Sequence, residues 1–346
     1  MKSYNKLLKL IRCLNCESDL KLEDKVFSCT NCNKKYPILN GIPRFVDESF
    51  YKLNDDNTDI EKKTKNYFGF EWSHFKDWGF IDDKNLSAEE KSNYFGGTIE
   101  NRKNTFLSKC RLVDDDIASK IVLDAGCGNG RYTFEAATKN KNGLVIGVDI
   151  GYGSVSSAYE NTAKLKNVII IQGSLFNLPF KNEVLDSVFS NGVLMHTGNA
   201  KRAFGEICRT IKVGGVFVAH LYGKLNPIWE FNDWFLRKIT TRLSINSVMK
   251  FSIFLSKLCR IICRTPRSFE IFNLFFRIQP SVIHMFDWYS APIATHHTYT
   301  ELAKWFLENN FKLEQGIKKK LEIDKKIFFK PWAINLKGTK IKKIFN

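Results

Sequence analysis

Four cysteines near the N-terminus have the type and spacing to bind one metal ion. Cys13 and Cys16 form one close pair, and Cys29 and Cys32 form a second pair twelve residues further along the chain. Two tight turns of this kind can close a tetrahedron of thiolates around Zn²⁺. Four thiolates leave no coordination position open for a reacting group, so we expect a structural zinc site.

A second chemical signal is the run VLDAGCGNG at residues 122–130, which predicts a strand, a glycine-rich turn and the start of a helix. Gly126, Gly128 and Gly130 would let the backbone approach a ligand closely beside free helix N–H groups. The G-x-G-x-G spacing differs from the G-x-G-x-x-G of dinucleotide-binding folds. Asp124 would repel a pyrophosphate at this position but attract an ammonium group.

Polar residues follow the next predicted strands. Asp149 closes the run GLVIGVDI, where a carboxylate can accept hydrogen bonds from both hydroxyls of a ribose. Ser174 and Leu175 follow the third strand, where an adenine would lie. The carboxyl ends of parallel strands face one ligand crevice, so we expect these residues to share a site.

On these residues the chain resembles the class I S-adenosylmethionine-dependent methyltransferases, of the type 11 or ubiquinone-biosynthesis-like group. The motifs VLDAGCGNG, GVDI, QGSLFNLPF, DSVFSNGVLMH and IKVGGVF occur in order, and the resemblance covers residues 119–223 and 296–338. Many members of the family have Asp where Ser174 stands, which makes the adenine contact the least secure. The resemblance implies cofactor-binding roles for Asp124, Gly126, Gly128 and Gly130 (methionine part), Asp149 (ribose), Ser174 and Leu175 (adenine), and Asn191 (beneath the sulfonium).

Candidate catalytic residues were sought among groups that could position the methyl acceptor or take its proton. His196 follows the fourth strand and His220 ends the fifth, so both are expected near the crevice. By resemblance, Tyr289 and His297 belong to a substrate-pocket element of small-molecule methyltransferases. For each of the four, a hydrogen-bonded structural role is the alternative.

The elements that must position these residues form an α/β pattern. Short β-branched runs alternate with helical periods from residue 119, which indicates a buried parallel sheet. We predict a Rossmann-like, seven-stranded methyltransferase sheet with an antiparallel last strand. The predicted parts are a zinc ribbon (1–46), an aromatic extension packing on the catalytic domain (47–118), and a methyltransferase domain (119–346) with a helical lid insertion (224–295). By its resemblance to ribbons fused to methyltransferases, the ribbon is expected to stabilise the protein or present substrate.

The chain has 346 residues and a net charge of +17. Residues 233–278 and 312–346 supply +7 and +8 of this charge, so an anionic partner should meet the C-terminal third. No apolar run is long enough for a transmembrane helix and no signal peptide is evident, so we expect a cytoplasmic protein, with a peripheral position at the inner membrane face as an option. The sequence does not indicate an oligomeric state.

Three functions remain open. Methyl transfer to a small-molecule or a lipid- or glycan-linked acceptor is favoured. The second is an RNA methyltransferase that uses the ribbon and the basic surface. A nucleic-acid substrate is less favoured, because the Asn/Asp-Pro-Pro-Tyr/Phe type of signature, which is used on exocyclic base nitrogens, is absent after strand four. In addition, the basic stretches are interleaved with apolar residues. The third is a binding adaptor without turnover, which the intact cofactor motifs disfavour.

Residues 228–278 allow two interpretations. They interleave many aromatic and aliphatic side chains with nine Lys and Arg. The favoured interpretation is a lid whose apolar helix faces pack on the core while the basic groups are solvated. In the other, the lid also rests on an anionic membrane and takes a lipid-linked acceptor from it.

Overall fold

A single mixed sheet of eleven strands forms the centre of the protein in the computed structural model, which describes residues 4–50, 60–84, 86–87, 97–328 and 330–342. The order of the strands is β1-β2-β3-β4-β7-β6-β5-β8-β9-β11-β10. The strands are β1 (Leu20–Glu23), β2 (Val26–Cys29), β3 (Lys35–Leu39), β4 (Ile42–Phe45), β5 (Ile121–Ala125), β6 (Leu144–Asp149), β7 (Val168–Gly173), β8 (Leu185–Asn191), β9 (Ile211–Tyr222), β10 (Phe311–Leu313) and β11 (Ala333–Lys340).

The helices surround this sheet and also build the segment 224–295. They are α1 (Tyr4–Leu8), α2 (Ile60–His74), α3 (Ile99–Thr105), α4 (Asp114–Ile117), α5 (Arg131–Lys139), α6 (Tyr152–Asn161), α7 (Ala200–Thr210), α8 (Pro227–Thr240), α9 (Ile245–Ile262), α10 (Pro266–Asn273), α11 (Val282–Ser290), α12 (Tyr299–Glu308) and α13 (Ile317–Asp324). A π-helical turn at Phe106–Cys110 and 3₁₀ turns at Glu48–Phe50 and Leu194–His196 complete the set.

The five strands β7, β6, β5, β8 and β9 run parallel, and their side chains alternate between two cores. Leu123 and Ile146 face a core that also contains side chains of α7 and α12. Val122 and Val145 face the opposite core, with side chains of α5 and α6. Helices on both faces explain why these strands are continuous β-branched runs rather than alternating ones.

The edge beyond β9 contains the antiparallel strand expected from the sequence. β11 pairs antiparallel with β9, with Leu336 opposite Ala219, and β10 pairs antiparallel with β11. The Rossmann-like α/β architecture is therefore confirmed.

The sheet has eleven strands rather than seven, because the N-terminal module adds β1 to β4 to the seven strands that residues 121–340 supply. β1 to β4 form an antiparallel meander, and β4 then pairs in parallel with β7 through Arg44 opposite Gln172 and Phe45 opposite Gly173. The buried Arg44 guanidinium donates to Gln172 Oε1 at 2.8 Å. The division of the chain at residue 46 remains a prediction, and the sheet is continuous across that position.

Residues 224–295 contain α8 to α11, and the apolar side chains of these helices pack inward only in part. Trp229 is buried, whereas Phe231, Trp234, Phe235 and Phe254 are each at least 50% exposed. The inward positions of α8 carry polar side chains that bind backbone carbonyls of α11, so the apolar residues lie outside. Among the described residues, no helix has both the length and the apolar character needed to span a bilayer.

Candidate active site

The glycine-rich turn follows β5 and forms the floor of a crevice of about 210 Å³. Gly126 and Gly128 line this crevice with φ of +88° and +53°, values at which a side chain would be strained. A Cβ on Gly126 would lie 2.3 Å from the Val193 side chain, and one on Gly128 would lie 3.0 Å from Trp72. Glycine is therefore required here both by backbone conformation and by space.

Asp149, at the end of β6, lines the crevice and stabilises the turn. Its Oδ2 accepts from the Gly128 N–H at 3.0 Å and its Oδ1 from the Gly151 N–H at 2.9 Å. Burial raises the pKa of Asp149, although these backbone donors act in the opposite direction. Each carboxylate oxygen retains a lone pair for a further donor, such as a sugar hydroxyl.

The other expected cofactor residues at the crevice wall are Asn191, Ser174 and Leu175. Asn191 ends β8, and its buried Oδ1 has no hydrogen-bond partner among the described residues. A buried amide oxygen without a partner is costly, so it favours a ligand with a donor group at this point. The Ser174 hydroxyl accepts from the Phe176 N–H at 3.2 Å, which keeps its side chain at the wall.

Asp124 and Gly130 do not line the crevice. Asp124 is buried and its Oδ2 accepts from the Thr133 hydroxyl at 2.7 Å, while burial raises its pKa to about 7. Gly130 precedes α5 with φ of +81° and packs against Ala158 of α6. Both residues thus shape the turn from behind, and a direct contact of Asp124 with an ammonium group stays a prediction.

His196 lies in the crevice with a defined tautomer. Its Nδ1 is 2.5 Å from the carbonyl oxygen of Ile293, which can only accept, so Nδ1 carries the proton. The buried Nε2 then bears a lone pair and has no partner among the described residues. Burial lowers the pKa of His196 to about 4, so the ring is neutral at pH 7.

His220 also lines the crevice, at the end of β9. Its buried Nδ1 has no hydrogen-bond partner in the part of the chain that the structure describes. Burial, and after it the charge of Lys109, lowers the pKa of His220 to about 3. Lys109 lies on the same wall.

The remaining two candidate catalytic residues are placed outside the crevice. The buried Tyr289 hydroxyl donates to the Arg277 carbonyl oxygen at 2.8 Å, which ties α11 to the preceding loop. His297 has its Nε2 2.8 Å from the Thr295 hydroxyl, and its backbone N–H donates to the Tyr222 carbonyl oxygen. Neither side chain is among those that line the crevice, so a contact of either with a substrate stays a prediction.

Two groups of crevice residues were missed from the sequence. Helix α2 brings Glu71 and Trp72 to the wall, and α11 brings His284 and Asp287. The clustering of aromatic residues in 47–118 indicated packing but not a position over the crevice; two of its members, Tyr94 and Phe95, lie outside the described residues. The run Asp287 to Pro292 was singled out, and within it Asp287 rather than Tyr289 lines the crevice.

Glu71 and Asp287 form an acidic end of the crevice. Glu71 is buried, its Oε2 has no partner among the described residues, and burial together with the Asp287 charge raises its pKa well above the usual range. Asp287 Oδ2 accepts from the Tyr222 hydroxyl at 3.1 Å. The Tyr222 ring in turn meets the His196 ring edge-on at 5.3 Å. Hydrogen-bond acceptors thus predominate at this end.

The four N-terminal cysteines converge on one point. Their sulfur atoms all lie within 4.8 Å of one another, with Cys13 and Cys32 3.6 Å apart and Cys16 and Cys29 3.4 Å apart. Zn–S bonds of about 2.3 Å would place tetrahedral sulfurs about 3.8 Å apart, so the cluster has the size of a zinc site. Backbone N–H groups of Asn15, Asn31 and Cys32 point at the sulfurs of Cys13 and Cys29 at 3.4 Å, as donors to thiolates do.

Comparison with known proteins identifies the catalytic part of the chain. Residues 118–252 match the family model described as a methyltransferase domain. An uncharacterized chloroplastic methyltransferase of Arabidopsis thaliana is 24% identical over 238 residues, which are 66% of this chain and 62% of that protein. A demethylmenaquinone methyltransferase of Symbiobacterium thermophilum is 34% identical over 101 residues, 28% of this chain and 40% of that protein.

These curated relatives are thus matched over less than two thirds of their length. Among solved structures, a geranyl diphosphate C-methyltransferase from Streptomyces coelicolor A3(2) has a TM-score of 0.48 and 13% identity, covering 83% of this chain and 100% of that one. The family match spans β5 to α8, the same part of the chain that forms the glycine turn, Asp149, Asn191, His196 and His220. Residues 118–252 therefore contain a methyltransferase domain.

Proposed function

We propose that this protein transfers a methyl group from S-adenosylmethionine to a small-molecule or a lipid- or glycan-linked acceptor. The observation that carries the proposal is the crevice itself: a glycine turn at one end and two buried acceptor atoms, Asn191 Oδ1 and His196 Nε2, without partners among the described residues. Buried atoms of this kind favour a bound ligand that supplies donors.

The residues present fit the cofactor. Gly126 and Gly128 would accommodate its methionine part, Asp149 its ribose hydroxyls, Ser174 and Leu175 its adenine, and Asn191 the region near the sulfonium. When bound, S-adenosylmethionine supplies a methyl group on an activated leaving group, so the protein mainly has to align the acceptor and exclude water. Phe68 and Trp72 of α2 line the crevice and would serve the exclusion of water.

His196 is the residue proposed to contact the acceptor. Its lone pair at Nε2 would accept a hydrogen bond from a hydroxyl or amine and then take the proton as the methyl group is transferred. The nearby Asp287 charge acts to raise the pKa of His196 and would stabilise the imidazolium so formed. The acceptors at this end of the crevice favour an acceptor molecule that carries an O–H or N–H group.

A structural zinc ion at the cysteine cluster is part of the proposal. The sulfur spacing and the backbone donors support it, and the ion would fix the turns that present β1 to β4 to the edge of β7. Its proposed role is to stabilise the sheet edge, because four thiolates leave no open position for chemistry.

Curated relatives are named for different acceptors, including a demethylmenaquinone, a malonyl-acyl-carrier protein and U6 snRNA. The acceptor of this protein therefore has to be identified by experiment. The purified protein is incubated with methyl-labelled S-adenosylmethionine and cell extract divided into RNA, lipid and small-molecule fractions. Label in the lipid or small-molecule fraction supports the proposal. Label in RNA would favour the alternative, and no transfer despite cofactor binding would favour an adaptor.

Two histidine variants make the assay specific. His196→Gln should lower turnover roughly 100- to 1,000-fold, in the range that a positioned base contributes, with cofactor affinity nearly unchanged. His297→Gln is the matched control, because His297 does not line the crevice, and it should retain most of the activity. Equal losses of turnover in both variants would show that His196 does not act in the reaction.

A further inference from the structure

Helices α8, α9 and α10 expose many of their apolar side chains on the outside of the protein. Thirteen of the twenty-one large apolar side chains recorded as exposed among the described residues lie between residues 228 and 276. We name these thirteen, together with the exposed basic residues interspersed among them, the outer surface. Its apolar members are Ile228, Phe231, Trp234, Phe235, Ile239, Leu243, Ile253, Phe254, Ile261, Ile271, Phe272, Phe275 and Phe276.

The inward face of α8 carries three polar residues that form hydrogen bonds to α11 and the residue that follows it. Asp233 Oδ1 accepts from the Trp288 indole N–H at 2.7 Å, and Arg237 Nη2 donates to the Ala291 carbonyl oxygen at 2.7 Å. The Thr240 hydroxyl donates to the Tyr289 carbonyl oxygen at 2.5 Å. These contacts determine which face of α8 points inward, so its apolar face cannot turn inward without leaving buried polar groups unpaired.

Helix α9 repeats the arrangement with small residues inside. Val248, Ser252, Ser256 and Cys259 are buried, and the Ser256 hydroxyl donates to the Pro280 carbonyl oxygen at 2.6 Å. Other bulky side chains of α9 divide between the two sides: Ile253, Phe254 and Ile261 are exposed, whereas Phe251 and Leu255 pack partly buried against the cluster of Trp229 and Trp288. A water-soluble surface helix keeps its outer stripe polar, so the exposed apolar stripe indicates that something other than water covers these helices.

The positive charge of the outer surface indicates which kind of partner covers it. Lys238, Arg242, Lys250, Lys257, Arg260, Arg264 and Arg267 are exposed among the apolar groups, against the single exposed acid Glu270. The Lys238 ammonium lies 4.9 Å from the centroid of the Trp234 ring, a pairing suited to a boundary between apolar and charged media. A second copy of the chain would bring the same positive charges face to face, which is unfavourable.

We propose that the outer surface lies on an anionic membrane, with the apolar side chains in the headgroup and acyl boundary and the basic groups on lipid phosphates or carboxylates. α8 and α9 pack against α11, whose other residues His284 and Asp287 line the crevice. The helices that carry the outer surface are therefore separated from the acceptor end of the crevice by α11 alone. Membrane binding does not depend on methyl transfer, so its test fails or succeeds separately from the activity assay.

The test is co-sedimentation of the full chain with vesicles of phosphatidylcholine alone or with about one third phosphatidylglycerol. Binding to the anionic vesicles, and much weaker binding to the neutral ones, is expected. Replacing Lys250, Lys257 and Arg260 with Ser should weaken the partition roughly 100-fold, about fivefold for each charge. The matched control replaces the exposed Lys312, Lys318 and Lys319, which lie outside the outer surface, and should bind nearly as the native chain does.

A second measurement separates insertion from electrostatic adsorption. Brominated acyl chains should quench the emission of the native protein, and Trp234→Ser should remove a large part of that quenching. Absence of binding to anionic vesicles, or equal losses in the two lysine and arginine sets, would overturn the proposal. Concentration-dependent dimerisation that is lost in a Phe231→Ser, Phe235→Ser variant, without vesicle binding, would assign the surface to a second copy instead.

Discussion

Replacing Asp149 with alanine removes the acceptor of two backbone N–H groups, those of Gly128 at 3.0 Å and Gly151 at 2.9 Å. It also removes the proposed partner of two ribose hydroxyls. Hydrogen bonds to a charged acceptor contribute about 1.5–3 kcal/mol each, so two of them correspond to roughly a 10²- to 10⁴-fold change in Kd. We expect the lower end of that range, because burial raises the pKa of Asp149 and so disfavours its charged form.

The assay is isothermal calorimetry with S-adenosylhomocysteine, accompanied by thermal unfolding without ligand. Asp149→Asn separates the two roles: its one amide oxygen can keep one of the two backbone donors, so it should lose less stability than the alanine variant while still losing affinity. A Kd for Asp149→Ala within about threefold of the native value would show that the ribose does not contact this carboxylate. Most of the proposed cofactor placement would then be wrong.

Three further changes test other parts of the structure. Cys16→Ser should reduce bound zinc below about half an equivalent by elemental analysis and lower the unfolding temperature, while cofactor affinity largely survives. In the native protein the buried Glu135 carboxylate lies 2.6 Å from the Arg102 Nε. Arg102→Ala leaves that carboxylate unpaired and should lower the free energy of unfolding, measured with denaturant, by about 3–5 kcal/mol. A loss below about 1 kcal/mol would contradict this. His220, whose pKa burial lowers to about 3, must stay neutral in the folded state, so its contribution is present above about pH 6.5 and is lost as the pH falls toward 3. Native stability relative to His220→Gln should therefore fall by up to about 1.4 kcal/mol per pH unit in that range, and parallel pH curves would refute the assignment.

The local periodicity of apolar residues was sufficient to predict the central, parallel part of the sheet. Runs such as residues 168–171 are buried on both faces, and only a parallel strand between helices requires that pattern. The glycine turn was equally accessible, since the positive φ of Gly126 and Gly128 admits few other residues. Cysteine spacing located the four-cysteine cluster, because its members lie close together in the chain.

Features that depend on packing between distant segments were not accessible in this way. The extension of the sheet to eleven strands was not predicted, because β4 meets β7 across more than a hundred residues of sequence, through the pairing of Arg44 with Gln172. Glu71 lies in the crevice only because α2 packs on α6, and no local pattern around it marks a site. Tyr289 and Asp287 are two residues apart on one helix, and only the direction of that helix decides which of them faces the crevice.

The dependence on packing between distant segments also explains why the sequence did not decide where the apolar side chains of the outer surface would lie. A sequence pattern shows that one stripe of a helix is apolar, but it does not show whether that stripe faces the core or the outside. The deciding evidence for α8 is its opposite stripe, where Asp233, Arg237 and Thr240 all find partners on α11. A buried polar stripe with its hydrogen bonds satisfied has to stay inward, because turning it out would leave backbone carbonyls of α11 unpaired and would gain only apolar burial against a core that Trp229 and Trp288 already fill. For this protein, the inward polar contacts are therefore stronger evidence for an external apolar partner than the exposed aromatic residues themselves.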